Sequence, residues 1–397
     1  MTPPRRLLVL LCITVGTMTC SLGAFPALLP EIGAAARLTD LELGIVAGAF
    51  GLSRMVVDIP VGLLMTYHVR RALLAAPVFM LIGVACMVAG GSLPWLLLGR
   101  ALMGVGQTLG MLGGLTTILR TRDARGLASA LNAFEFSAMI GLVAGVATVG
   151  ALPGGLPWHV AFAVVSAPVL VSFLTIRGAL AALPRTDAAR PWFARTAAAG
   201  AGSERATSGR AGDGTVVVIA FAAGTAVALT YGMVESFLIP LRGSREFGLD
   251  RAGVARLLMV AQACDILALL PLGALADRRG TARVLAVVLV TYAAALGLVA
   301  FATLPYAVVG CVLFGLAMAG WMLPLGLLRA GTPPSEVAWR TALYRVFVDG
   351  GLFLGPFLSG VLAARYSALL PSALMAVLLG LGAVVLLLRR ARRAALV

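Results

Sequence analysis

Twelve apolar runs, each long enough to cross a bilayer as a helix of about 20 residues, follow one another along this chain. They cover approximately 7–29, 42–66, 72–92, 94–119, 126–150 and 157–180, then 215–239, 251–275, 281–302, 305–329, 338–363 and 367–388. In hydrocarbon every backbone N–H and C=O must bond within its own segment, so such runs are helices. Charged residues make up 12% of the chain and hydrophobic ones 60%. A soluble globular domain carries about 25% charged residues, so that class is excluded. The first run follows Arg5 and Arg6 in the manner of a signal peptide. It continues past Cys20 to about Leu29, which makes it a membrane helix.

Between the sixth and seventh runs, Leu183 to Gly214 is rich in Ala, Arg, Gly, Ser and Asp, too polar to span. It is expected to link an N-terminal bundle (1–182) to a C-terminal one (215–397), with 183–214 as a cytoplasmic linker. The net charge of +15 is carried wholly by arginine and would suggest nucleic acid in a soluble protein. Here it gathers in alternate loops. Arg5-Arg6, Arg70-Arg71, Arg120/Arg122/Arg125, the linker arginines, Arg278-Arg279/Arg283, Arg329/Arg340 and Arg389–Arg393 share one side. The positive-inside rule then predicts both termini in the cytoplasm, with the loop around Arg242–Arg256 running against it. The halves also repeat: Pro60 and Gly62 match Pro271 and Gly273, and Gly141 matches Gly355. Parallel six-helix repeats are a transporter architecture. The five cysteines form no CxxC pair and His68 and His159 stand apart in expected loops, so neither a metal nor a cofactor is expected. No Gly-Lys-Ser/Thr phosphate loop is present either.

Two motifs carry a family resemblance. Gly273-Ala-Leu-Ala-Asp277-Arg278-Arg279-Gly280-Thr-Ala-Arg283 resembles the signature loop of the major facilitator superfamily, and Arg100-x-x-x-Gly104-x-Gly106 resembles its fourth-helix motif. The resemblance implies an all-α membrane protein of 12 transmembrane helices in two pseudo-symmetric six-helix bundles. It further implies alternating-access transport rather than enzymatic chemistry. Two departures stand out. The equivalent first-half loop reads Thr66-Tyr67 where the family pattern has Asp and Arg. Gly141-Leu-Val-Ala-Gly145 lacks the proline of the antiporter motif, whereas the eleventh helix has one at Pro356.

Charges inside the runs single out the remaining candidates, because each costs about 2.5–3.5 kcal/mol near the membrane centre. Arg54 and Asp58 stand at i and i+4, and so do Arg345 and Asp349, about 6 Å apart along their helices. In the family fold these helices face each other, which makes the four residues an interdomain gate of two ion pairs; alternatively each Arg pairs with the Asp on its own helix. Glu135 and Asp265 sit at positions equivalent to Asp349 and Arg54 and are expected to share a proton and couple transport to it. Separate hydrogen bonds to Asn132, Ser137 or Gln262 are the bland alternative. Arg100 either attracts an anionic substrate or caps carbonyls near Gly104. Tyr231 and Glu235 share a face and either line the substrate cavity with Trp321 or, for Glu235, sit solvated near the membrane interface. Trp321, Tyr344 and Phe134 suit a planar ligand, or plain packing. Asp277 with Arg278 and Arg283 reads as a cytoplasmic latch.

The expected function is proton-coupled efflux of a drug-like or amphipathic molecule from the cytoplasmic membrane of a bacterium. Uptake of a small organic anion, with Arg100 and Arg54 as counter-charges, is the alternative. A sensor that has lost transport is the rival from another class. The expected partners are a small-molecule substrate, protons and the lipid bilayer, with the chain acting as a monomer.

Overall fold

The computed structural model describes residues 3–121, 126–183, 214–333, 336–363 and 368–394. Among these residues it is all helix, without a strand. Twelve membrane-length helices are present: α1 Arg5–Ala36, α2 Asp40–Met65, α3 His68–Ala89, α4 Leu93–Thr121, α5 Ser129–Ala151 and α6 Trp158–Ala182; then α7 Gly214–Arg245, α8 Arg251–Arg279, α9 Thr281–Phe301, α10 Leu304–Ala330, α11 Trp339–Ala363 and α12 Leu369–Leu387. Each expected run reappears. The linker expected over 183–214 lies, apart from its end residues, outside the described residues, as do Arg122, Arg125 and Arg365.

Two local expectations change. No loop separates α2 from α3: the chain runs helical from Asp40 to Ala89, interrupted only at His68 (φ −134°, ψ 41°). The reason is visible at the equivalent turn between α8 and α9. There Gly280 adopts φ 89°, a left-handed conformation that glycine takes without strain, and its N–H closes the helix on the Ala276 carbonyl. The first half has Val69 at that position and no residue suited to such a stop. His159, expected in a loop, instead lies in the first turn of α6, edge-on to Trp158 with ring centroids 5.8 Å apart.

The chain divides into two compact units, Met1–Leu38 with Ala49–Ala206, and Thr39–Gly48 with Thr207–Val397. In the first unit α1 packs along α5 and α6. A Cβ on Gly145 would lie 2.0 Å from the Cys20 carbonyl oxygen, so the two helices approach to backbone contact. The second unit repeats this, with α7 packed along α11. There a Cβ on Gly355 would lie 2.3 Å from the Leu229 carbonyl oxygen. Lipid tails are as apolar as leucine, so close van der Waals contact through small residues is what holds such helices together. Apolar side chains at helical spacing remain exposed on Leu170 and Leu174 of α6 and on Val287 and Val290 of α9, as a lipid-facing surface requires.

The start of α2 carries a capping box. Thr39 N–H donates to Glu42 (2.7 Å) while Glu42 N–H donates to the Thr39 hydroxyl (3.3 Å). Next to it, in the second unit, Arg245 donates to Asp40 at 2.6 Å, a half-exposed pair worth about 0–1 kcal/mol.

Candidate membrane transport site

The second unit contains two helices whose hydrogen-bond ladders are interrupted. In α7, Val234–Leu238 forms a π turn, closed by the Ile239 N–H on the Val234 carbonyl five residues back. The cause lies in Pro240, which has no N–H to give the Ser236 carbonyl and crowds it. A π turn inserts one residue into the helical phase and is frequently a functional feature. In α10 the helix stops at Met318 and resumes at Leu323, with short turns closing Gly320 on Ala317 and Trp321 on Met318. Pro324 has no N–H for the Gly320 carbonyl four residues back, which accepts instead from the Leu323 N–H at 3.0 Å.

Glu235 occupies the π turn and is buried, with 4% of its surface exposed. It is therefore not solvated at the membrane interface, the alternative its position in the sequence leaves open. Gln262 of α8 donates from Nε2 to Glu235 Oε1 at 3.1 Å. Asp265, one turn along α8, is also buried and close enough for its charge to act with that of Glu235. The hydroxyls of Tyr231 and Tyr292 lie near both acids. The rings form a continuous wall. Trp321 lies edge-on to Tyr231 (5.5 Å), Tyr231 stacks with Phe314 (6.2 Å), and Phe314 meets Tyr292 edge-on (5.9 Å). Glu235 Oε2, Gln262 Oε1, Asp265 Oδ1 and the Tyr292 hydroxyl are buried without a hydrogen bond of normal geometry. Buried polar groups are nearly always satisfied, so four such atoms in one cluster mark a place that exchanges partners.

The structure thus brings Tyr231, Glu235 and Trp321 together, and adds Asp265, which sequence spacing associates with Glu135 instead. Glu135 is half-buried on α5 of the first unit. Tyr292 and Phe314 were not singled out from the sequence. They lie inside apolar runs, and their only signal is a tyrosine and a phenylalanine among aliphatic residues. Gln262, considered as a partner for Asp265, bonds Glu235.

Arg100 belongs to a different cluster, in the first unit. Its guanidinium carbon stands 3.7 Å from the centroid of the Phe25 ring and 5.0 Å from that of Phe50, in cation–π geometry. Arg54 approaches the Phe50 ring at 5.4 Å. Asp58 is buried in the same unit, whereas Arg345 and Asp349, the latter 1% exposed, lie on α11 of the second. Gly273, Asp277, Arg278, Gly280 and Arg283 are exposed around the α8–α9 turn. Tyr344 packs edge-on against Phe221 and Phe134 is fully buried in the first unit, both in packing roles. No group of three metal-ligating side chains occurs among the described residues.

The sequence profile of the Major Facilitator Superfamily matches residues 7–243 and, separately, 216–396. A search of curated proteins finds no match. Among solved structures, the nucleoside transporter NupG is similar over 96% of this chain and 98% of its own, at 13% identity and a TM-score of 0.72. A peptide transporter POT in complex with sulfate covers 96% and 94%, with 12% identity and a TM-score of 0.74. A POT family transporter in complex with a thioalcohol conjugated peptide covers 96% of each chain, with 11% identity and a TM-score of 0.77. At these identities the likeness is one of fold. Taken with the profile match across both halves, it makes this chain a multi-pass membrane transporter of the Major Facilitator Superfamily.

Proposed function

We propose that the protein is a proton-coupled secondary transporter that exports a small amphipathic molecule across a bacterial cytoplasmic membrane, with both termini on the cytoplasmic side. The observation that carries this reading is the pair of buried acids, Glu235 and Asp265, set beside an interrupted helix and engaged by no arginine among the described residues. A carboxylate buried in this way must find a counter-charge or take up a proton. A carrier that opens the site alternately to two compartments turns that requirement into coupling. Discontinuous helices provide both the backbone irregularity and the bistable element for such opening. The domain assignment follows the same reading: residues 1–182 and 215–397 move as bundles about the 183–214 linker.

The test is flux in proteoliposomes with an imposed pH gradient, using protein of known orientation. Transport that follows the gradient in wild type, and exchange without gradient dependence in Glu235→Gln, supports the reading. Wild-type flux indifferent to the gradient defeats it. Uptake of an organic anion is a second reading, favoured by Arg100 beside Phe25 in the first unit. It requires accumulation of an anion such as benzoate in right-side-out vesicles.

A further inference from the structure

Proton exchange by itself asks for acids and access to water. It does not ask for four aromatic rings. In the second unit Trp321, Tyr231, Phe314 and Tyr292 make an unbroken wall beside Glu235 and Asp265. Aromatic faces carry negative charge density, so rings and carboxylates all favour one kind of guest. The unsatisfied atoms point the same way. Glu235 Oε2, Gln262 Oε1 and Asp265 Oδ1 are acceptors, each on a side chain at least nine-tenths buried, while Tyr292 contributes a hydroxyl. Gln262 spends an Nε2 donor on Glu235, which fixes that carboxylate against the wall. In the first unit the charge beside the rings is a cation, Arg100, lying over the Phe25 ring.

We propose that this cluster binds an organic monocation, a protonated amine or quaternary ammonium carrying an apolar or aromatic group, as the transported substrate. The proposal rests on the coupling reading above and names its substrate class. The ammonium sits by Glu235 and Asp265 with its substituents against the rings. One cation entering displaces one proton from the carboxyl pair to water, so charge is conserved and the carboxyl O–H bond that breaks is replaced by one on water. The titratable groups facing the pair are Tyr231 on α7, Tyr292 on α9 and Tyr344 on α11, which acts on Tyr292, with the thiol of Cys264 adjacent on α8.

Benzyltrimethylammonium and benzoate share a ring and carry opposite charges, and both can be titrated calorimetrically into the purified full chain. The expected result is binding of the cation, at least about tenfold weaker binding of benzoate, and release of about one proton per cation bound in weakly buffered solution. Glu235→Gln and Asp265→Asn should each weaken cation binding about tenfold or more. Benzoate binding as tightly, or cation binding without proton release in wild type, would overturn the proposal, and that wild-type measurement does not depend on whether a variant folds. Gradient-driven flux of another solute with no cation binding defeats the substrate class and leaves coupling standing. Cation binding that depends on both acids, in a protein whose flux ignores the pH gradient, supports the substrate class and removes the coupling.

Discussion

The two units share a frame and differ in the chemistry placed on it. In each, the first helix lies against the fifth through a glycine too close to a facing carbonyl to accept a side chain, Gly145 against Cys20 and Gly355 against Leu229. In each, aromatic rings gather around buried charge. The first unit presents a cation, Arg100, whose guanidinium lies over Phe25 and near Phe50. The second presents acids, Glu235 and Asp265, whose neighbours are rings and an amide. A cation over an aromatic face is already partnered, whereas Glu235 meets a neutral amide and Asp265 keeps a buried oxygen without a hydrogen bond. The two units therefore share their helix packing and differ in the charge set beside their rings.

The contrast can be broken most sharply at the acids. Glu235→Gln should abolish gradient-driven transport, since an amide cannot take up and release the proton that the carboxylate exchanges. The liposome flux assay reads this. An equal loss from a conservative Arg100→Lys change would erase the distinction between the units. Next come the shared glycines. Gly145→Val and Gly355→Val should each destabilise by about 1–3 kcal/mol through overpacking, seen as lower thermal unfolding temperatures in detergent. A variant that unfolds like wild type would show that the close approach is not structural. Arg100→Lys should cost about 0.5–2 kcal/mol by loss of the planar stack on Phe25, measured by the same unfolding transition. The most local effect is expected at the α8–α9 turn. Gly280→Ala, placed at φ 89°, should cost about 1–2 kcal/mol locally, read by hydrogen exchange of the last turn of α8. Val69→Gly, its counterpart, should loosen the continuous α2–α3 segment at His68.

Much of this molecule is decided by local sequence. Twelve runs of bilayer length dictate twelve helices, because lipid leaves the backbone no alternative. The internal match of Gly141 to Gly355 reveals the repeat, and the Gly273–Arg283 motif announces the family. Tyr231 and Glu235 were legible as a pair, being one turn apart on one helix. What spacing could not decide was partnership between helices. Asp265 keeps company with Glu235, Gln262 and Tyr292 because α7, α8, α9 and α10 converge, and that convergence depends on packing at points distant in sequence. Glu235 is buried rather than solvated for the same reason. The interruptions at Val234–Leu238 and before Leu323 follow from Pro240 and Pro324, yet a proline announces only that a ladder must yield. Whether it yields as a π turn, a stop or a gentle kink is settled by which neighbouring groups can take up the freed carbonyls, and those neighbours exist only in the folded chain.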